Sequence, residues 1–334
     1  MLPFARTGWR LGWLACVATA MTATALAARQ GSVAAPADDR EVAAIKAAMN
    51  QPSRLVAPDT FGLTWSRYDV LKSRSRLQYI PFTVAIDPRR VSTPDVTVYW
   101  RVTSPVAGAP GGRVIAEGSR SATSRVPGPQ VYISHAFEAP SGTYQVTVVI
   151  KESSGGRSPA DSGRMASLTQ DVLVPDFWSG EFTTSPIIAA EALIPLTTPQ
   201  SSAQRAERPY ALQSWEIVPV FGGHFSRRSE FWTLIQIYNA RVDARNKPDI
   251  RVEYRYFLRQ GTGEKFFNQT APQTFSAATL PPEFDLAAGN QLESTQGLPL
   301  VAFPPGQYRL EVRITDALSS ETLTRELAFT VAEQ

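Results

Sequence analysis

The side chains that could do acid–base or nucleophilic chemistry are few and far apart in this sequence. The 334 residues contain two histidines and one cysteine, and a Ser–His pair needs both side chains within hydrogen-bond reach. His135 lies in the alternating segment VYISHAF, which favours a buried core or strand-edge position over a ligand or a base. His224 lies in the segment FGGHF, where a structural turn or exposed loop is the favoured interpretation. The histidines belong to different halves of the chain, so a shared site would need a cleft between the halves.

Carboxylates and known catalytic motifs give no better candidate. Asp87, Asp95 and Asp249 stand singly at the ends of predicted strands. No D-x-D-x-D run offers the clustered oxygen ligands that Ca²⁺ needs. The sequence contains no G-x-S-x-G, H-E-x-x-H, P-loop, paired C-x-x-C or EF-hand pattern. We therefore predict no enzyme activity, no catalytic or metal-binding residue and no cofactor.

The N-terminus predicts export. Arg6 and Arg10 form a basic region, residues 11–27 contain no charge, and Ala25-Leu26-Ala27 is an A-x-A cleavage site. A membrane anchor is the alternative, but the apolar stretch is short and diluted by threonines, whereas a spanning helix needs about 20 strongly apolar residues. We predict that residues 1–27 are a Sec-type signal peptide and that the mature protein is periplasmic, extracellular or part of the cell envelope.

Charge and cysteine content argue against several classes of partner. Removal of residues 1–27 takes two of the 33 basic residues and none of the 30 acidic ones, which leaves 31 against 30. A balance so close to neutral gives no support for nucleic-acid binding. No other apolar run approaches membrane length, so the mature chain is not expected to span a membrane. The single cysteine, Cys16, also leaves, so hydrophobic burial has to stabilise the fold without disulfides.

Two segments of the chain occur twice in the same order. PDVTVYWRV at residues 94–102 aligns with PDIRVEYRY at residues 248–256. PSGTYQVTVVIKE at residues 140–152 aligns with PPGQYRLEVRITD at residues 304–316. Two matches in one order indicate a tandem repeat. In each segment hydrophobic residues alternate with polar ones, which predicts antiparallel strands with one buried and one solvated face.

The repeated unit has the strand pattern of an immunoglobulin-like sandwich. Tyr144 and Tyr308 open corresponding strands and are expected to be corner tyrosines whose hydroxyls bond upstream backbone. Gly142 and Gly306, two residues earlier, would permit a tight entry turn. We predict an all-β fold of two tandem Ig-like or fibronectin-III-like β-sandwich modules. Strands of the first copy are predicted near residues 60–71, 78–87, 95–103, 112–138 (two strands), 143–151 and 167–174.

The remaining segments complete the domain organisation. Residues 37–50 predict a short helix that Asp38 or Asp39 caps, with Val42, Ile45 and Met49 forming an apolar stripe. This stripe is expected to dock on the first sandwich, the alternative being a partner-binding peptide. Residues 186–196 predict an edge strand of either sandwich. The predicted units are a signal peptide at 1–27, a linker with the short helix at 28–55, the first sandwich at 56–178, a linker or edge strand at 179–208 and the second sandwich at 209–334.

One strand has hydrophobic side chains on both faces. In FWTLIQIYN at residues 231–239, one face contains Phe231, Ile235 and Ile237 and the other contains Trp232, Leu234 and Tyr238. The equivalent strand of the first copy, residues 79–87, has its large hydrophobic side chains on one face only. A second apolar face has to be covered. Packing against the linker or the first module is the favoured interpretation, and a partner surface formed by Trp232, Leu234 and Tyr238 is the alternative.

Two longer segments resemble a known group of proteins. VPDFWSGEFTTSPIIAAEALI at residues 174–194 and PLVAFPPGQYRLEVRITDALSSETLTRELAFTV at residues 299–331 resemble β-sandwich segments of exported acidobacterial-type proteins, which often stand beside von Willebrand A-type or GWxTD domains. This chain has neither a von Willebrand A-type metal site nor a GWxTD sequence. The resemblance implies an accessory protein of the envelope or a secreted one, and it assigns no catalytic residue.

These observations favour a binding or structural role. We predict an exported, non-enzymatic tandem sandwich protein that acts as a protein-interaction or structural module of the cell envelope, with another envelope or secreted protein as its partner. The alternative is a polysaccharide-binding module that uses exposed aromatic residues, for which Trp178, Trp215 and Trp232 are available.

Overall fold

The computed structural model describes residues 36–333 except 107–108, 126–127, 155–162, 199 and 213. The predicted signal peptide, residues 1–27, lies outside the described residues. Over these residues the chain is an all-β protein with four sheets, mostly antiparallel, and two short α-helices. None of the helices in this part of the chain is long and apolar enough to cross a membrane.

The first eight strands form two sheets that enclose one hydrophobic core. Sheet 1 consists of β1, β2, β3 and β6, and sheet 2 has the order β5-β4-β7-β8. Alternate residues of β3, such as Ile80, Phe82 and Val84, pack on Val98 and Val148 of sheet 2. The strands are β1 (Thr64–Tyr68), β2 (Leu71–Lys72), β3 (Gln78–Ile86), β4 (Asp95–Val106), β5 (Ala109–Thr123), β6 (Val131–Ala139), β7 (Gly142–Glu152) and β8 (Met165–Val174). The other strand positions predicted for this half of the chain are confirmed, but the strand predicted near residues 60–71 is divided into the end of a 3₁₀ turn and the two short strands β1 and β2.

The next eleven strands form a second pair of sheets around their own core. The strands are β9 (Thr183–Thr184), β10 (Ile188–Pro195), β11 (Trp215–Pro219), β12 (His224–Ser226), β13 (Glu230–Tyr238), β14 (Ile250–Gln260), β15 (Gly263–Gln269), β16 (Gln273–Phe275), β17 (Leu292–Pro299), β18 (Gly306–Asp316) and β19 (Glu321–Ala332). Sheet 3 has the order β11-β10-β13-β17 with β9 also on β13, and sheet 4 has the order β12-β19-β18-β14-β15 with β16 also on β14. Because β10 pairs with β11 and β13, the edge segment 186–196 contributes its strand to sheet 3.

The predicted N-terminal helix forms and lies on the outer face of sheet 2. α1 (Asp39–Met49) begins after Asp38, whose carboxylate accepts a hydrogen bond from the Arg40 backbone N–H. Ile45 is fully buried against Tyr99 of β4 and Val149 of β7. The apolar stripe therefore docks on the first pair of sheets, as expected. The second helix is α2 (Ser202–Glu207), and 3₁₀ turns occupy Pro52–Arg54, Pro58–Phe61, Pro88–Arg90 and Leu300–Ala302.

Sheets 1 and 3 also pack on each other. A third cluster joins Leu71 and Tyr79 of sheet 1 to Ile188 and Leu234 of sheet 3. Sheets 1 and 3 are therefore the two middle sheets, with sheet 2 outside sheet 1 and sheet 4 outside sheet 3. The strands β3 and β13 of these middle sheets are buried on both faces. The 79–87 strand has its large hydrophobic side chains mainly on one face, yet its second face is buried too, because sheet 3 packs there. The polar groups of that face find partners, as in the 2.7 Å hydrogen bond between Thr83 Oγ1 and Ser134 Oγ.

Both tyrosines predicted at strand entries make an upstream backbone bond. The Tyr144 hydroxyl donates to the Pro140 carbonyl oxygen at 3.0 Å, and the Tyr308 hydroxyl donates to the Pro304 carbonyl oxygen at 2.7 Å. Gly142 has a φ of +151°, as the tight turn requires. Gly306 has no positive φ, and there the reason for glycine is a close approach, since a Cβ would meet Leu258 Cδ1 at 3.0 Å.

Candidate functional site

The contact between sheets 1 and 3 leaves a cleft of about 410 Å³ at one end. Sheet 1 supplies β2 and the turn that follows it, sheet 3 supplies β13 and the residue before β17, and the linker around α2 closes the side. The lining contains three cations and no carboxylate. The lining residues are Leu71, Lys72, Ser73, Arg74, Tyr79, Gln200, Arg205, Ala211, Leu212, Ser214, Gln236 and Gln291.

Lys72 is the best-positioned cation of the cleft. Its ammonium group donates to Asn239 Oδ1 at 3.0 Å and lies 4.2 Å from the centroid of the Trp178 ring. Partial burial lowers the pKa of Lys72, and the charge of Asp176 opposes this effect. Among the described residues no carboxylate lies within ion-pair distance of the ammonium group, so its charge is available to a ligand in the cleft.

The other two cations stand on opposite walls. Arg74 is exposed on the turn between β2 and β3, and it makes no ion pair with any residue that the structure describes. Arg205 lies on α2, with its Nη1 4.0 Å from Glu138 Oε1, the outer limit of an ion pair. Both guanidinium groups can therefore turn toward an anion at modest cost.

A network of amide and hydroxyl groups forms the floor. Gln236 Nε2 donates to Glu293 Oε1 at 2.8 Å, and the Tyr238 hydroxyl donates to Gln236 Oε1 at 2.6 Å. Burial raises the pKa of Glu293 against the opposing effect of its hydrogen bonds from Gln236 and Ser214. Gln200 Oε1 is buried and has no hydrogen-bond partner among the described residues. The floor thus pairs its carboxylate with an amide and offers one acceptor, Gln200 Oε1, that has no partner among the described residues.

The residues predicted as an interaction surface lie inside the protein or against it. Leu234 is fully buried and Tyr238 is 3% exposed. The Tyr238 ring packs 4.7 Å from that of Phe177, and its hydroxyl accepts from the Lys72 backbone N–H at 3.0 Å. Trp232 is half-buried on Gly297, and its Nε1 donates to Glu230. The chain itself therefore buries Leu234 and Tyr238 of the second apolar face of β13 and leaves Trp232 partly exposed.

The tryptophans named as sugar platforms are each engaged in other contacts. Trp215 and Trp232 are half-buried on the cluster between sheets 1 and 3. Trp178 is 36% exposed, donates through Nε1 to the Leu77 carbonyl oxygen and has the Lys72 ammonium over its ring. Only Trp178 stands near the cleft, and no flat surface with all three rings results.

The structure does not bring the two histidines together. His135 is buried on β6, with its ring 5.8 Å from Phe82 and 6.0 Å from Trp100. Burial and the nearby Arg120 charge hold the pKa of His135 well below its usual value, so the ring is neutral. His224 is exposed, as predicted for an exposed loop, but it is the first residue of the short strand β12. Within the described part of the chain no group of three His, Cys, Asp or Glu side chains could hold a metal ion.

Sequence analysis missed three exposed apolar side chains on sheet 2, of which Val114 and Leu173 lie on its two edge strands. Val106 and Val114 are each 45% exposed, and Leu173 is 65% exposed. α1 covers the outer face of sheet 2 around Val149. Leu173 pairs with Thr143 in the β7–β8 ladder. Because Thr143 lies six residues before Val149 on β7, Leu173 and Val149 are about 20 Å apart along the strands. We name Val106, Val114 and Leu173 the sheet 2 patch. An unbroken apolar run would have been the sequence signal, but these residues are scattered over three strands.

Comparisons with known proteins identify no family. No family model matches this chain, and no curated protein matches it. One similar solved structure is that of Salmonella alpha-2-macroglobulin reacted with methylamine, at 13% identity and a TM-score of 0.22. The match covers 84% of this chain and only 17% of that chain. A likeness of this size carries no argument about fold or function.

Proposed function

We propose that this protein is an exported, non-enzymatic component of the cell envelope that binds another protein or serves as a structural part. We also infer that its two pairs of sheets are tandem Ig-like modules. The strand order β5-β4-β7-β8 of sheet 2 corresponds to β15-β14-β18-β19 of sheet 4. The two internal sequence matches fall on β4 and β14 and on β7 and β18. Export is supported by the features of residues 1–27.

The sheet 2 patch is the observation that supports protein binding. Large apolar side chains exposed on a folded surface are candidates for interaction sites. Sheet 2 presents three of them, and Leu173 on the edge strand β8 is the most exposed at 65%. The sheet 2 patch replaces the surface formed by Trp232, Leu234 and Tyr238, of which the chain itself buries Leu234 and Tyr238.

The test is capture from an envelope extract with residues 28–334 as bait, at about 0.15 M salt to screen weak charge contacts. Leu173→Lys should reduce the recovered partner at least about tenfold, the loss of roughly 1.4 kcal/mol that one apolar contact can supply. Val301→Lys is the matched control, because Val301 is 63% exposed outside the patch. Equal recovery with both variants would remove the patch as the binding surface.

Polysaccharide binding is the second candidate, and the cleft between sheets 1 and 3 favours it. Glutamine amides and serine hydroxyls can each donate and accept, as sugar hydroxyls do. The cleft lies at the contact between two sandwich-like halves, a common location for ligand sites.

A further inference from the structure

We propose that the cleft between sheets 1 and 3 binds an acidic saccharide, with Lys72, Arg74 and Arg205 around the sugar carboxylate and the glutamine and serine side chains on the hydroxyls. This inference rests on the second proposed function and specifies its ligand. The cleft volume of about 410 Å³ lies at the small end of ligand pockets, which suits one or two sugar rings.

The charge of the cleft favours an anionic ligand. The lining holds three cations and no carboxylate, and the nearby carboxylates of Glu293 and Glu138 accept hydrogen bonds from Gln236 and Ser73. Lys72 is already partly desolvated, so an approaching carboxylate would interact with it more strongly than with a fully hydrated ammonium group. Arg74 can add the paired N–H groups that match a carboxylate in geometry.

The neutral groups select a polyhydroxylated ligand. Gln200 comes from the linker, Ser214 from the residue before β11 and Gln291 from the residue before β17, and all three line the cleft. Gln200 Oε1 is a buried acceptor without a partner in the described chain, and a buried acceptor needs a donor to offset its lost hydration. A sugar hydroxyl supplies that donor and can also accept from the neighbouring amides.

An extended acidic peptide fits the cleft less well. Peptides that bind sandwich edges add a strand through free backbone groups. The outward backbone groups of Lys72 are already in use, since its N–H donates to the Tyr238 hydroxyl at 3.0 Å and its carbonyl accepts from Gln291 Nε2 at 3.3 Å. The backbone of β2 therefore offers no free register for another strand.

The test is titration calorimetry of residues 28–334 with trigalacturonate, with its fully methyl-esterified form, and with triglutamate. Trigalacturonate should bind at least about tenfold more tightly than the ester, because the ester keeps the ring and loses the charge. Binding should also change Trp178 fluorescence, since the Lys72 ammonium lies 4.2 Å from that ring. Arg74→Gln should weaken binding about fivefold or more. Arg76→Gln is the control, because Arg76 is exposed on the same turn and does not line the cleft.

Each result of these titrations either supports or overturns the proposed acidic-saccharide site. Equal binding of acid and ester would overturn the acidic preference and leave carbohydrate binding intact. Equal binding of triglutamate and trigalacturonate would reduce the site to a general attraction for anions and overturn the proposal, as would binding of neither sugar. An unchanged circular dichroism spectrum of Arg74→Gln shows that a loss of affinity is not a loss of fold.

Discussion

The ion pair between Arg67 and Asp69 lies where the two halves of the chain meet. Arg67 Nε lies 2.9 and 2.7 Å from the two carboxylate oxygens of Asp69, and Arg67 Nη2 also donates to the Ile187 carbonyl oxygen at 2.8 Å. The Asp69 side chain is fully buried and that of Arg67 is 19% exposed. Burial would lower the pKa of Arg67, but the Asp69 charge outweighs it and raises that pKa. The pair therefore joins the start of sheet 1 to the segment that enters sheet 3.

Asp69→Asn should lower the free energy of unfolding by about 3 kcal/mol. Removal of one partner from a buried pair costs roughly 3–5 kcal/mol, because the other charge stays buried without compensation. The asparagine carbonyl can still accept one hydrogen bond from Arg67, so we expect a loss of unfolding free energy at the low end of this range. The double variant Arg67→Met/Asp69→Leu removes both charges and should cost about 1 kcal/mol, for the lost bond to the Ile187 carbonyl.

Urea unfolding followed by tryptophan fluorescence and circular dichroism measures these losses, provided that the unfolding free energy of each variant depends on urea concentration with the same slope. Glu253→Gln is the matched control, since it breaks the exposed Arg251–Glu253 pair and should cost under about 1 kcal/mol. A loss for Asp69→Asn no greater than that of Glu253→Gln would refute the reasoning. So would a double variant that loses as much stability as Asp69→Asn.

Three further predictions concern single side chains. The protein should lose stability below about pH 6.5, because burial lowers the pKa of His135 in the folded state and the unfolded state binds the proton first. The loss is up to roughly 1.4 kcal/mol per pH unit. Urea midpoints at pH 7 and pH 5 measure it, and His135→Leu should abolish this pH-dependent loss. Burial would raise the pKa of Glu152, but bonds from Arg164 and Ser92 outweigh this and lower it to about 2. Its stabilisation should therefore disappear as the pH falls from about 4.5 to 2, and an acid titration of Glu152→Gln that retains this loss would contradict the assignment. Tyr308→Phe should cost about 1 kcal/mol in thermal unfolding for the bond to Pro304, whereas Tyr132→Phe, whose hydroxyl makes an exposed bond to Gln130, should cost less than half of that.

Local patterns were sufficient to predict the elements. The alternation in residues 140–152 is a property of neighbouring residues, and it became β7 with its hydrophobic positions inward. Asp38 before a stripe of helical period likewise predicted α1 and its cap. The entry tyrosines could be predicted because their partner carbonyls lie four residues upstream.

The candidate site could not be predicted in the same way. Its cations and glutamines come from β2, the linker, β13 and the residue before β17, and no spacing in the sequence relates these segments. Thr83 is a polar residue on an alternating strand, yet it is buried and hydrogen-bonded to Ser134. The sequence of an alternating strand is the same whether its polar residues face water or bind a buried partner, so the alternation does not distinguish the two cases.

The positions of the strands and the first helix follow from local patterns, because hydrophobic period, capping and turn residues act over a few positions of the chain. The pattern of β13 also indicated that both of its faces need cover. The segments that provide this cover could be identified only from the packing of the sheets. The contacts responsible join residues more than a hundred positions apart, such as Arg67 with Ile187 and the Tyr79 hydroxyl with the Pro209 carbonyl oxygen. Their energies depend on burial and geometry that the order of residues does not contain.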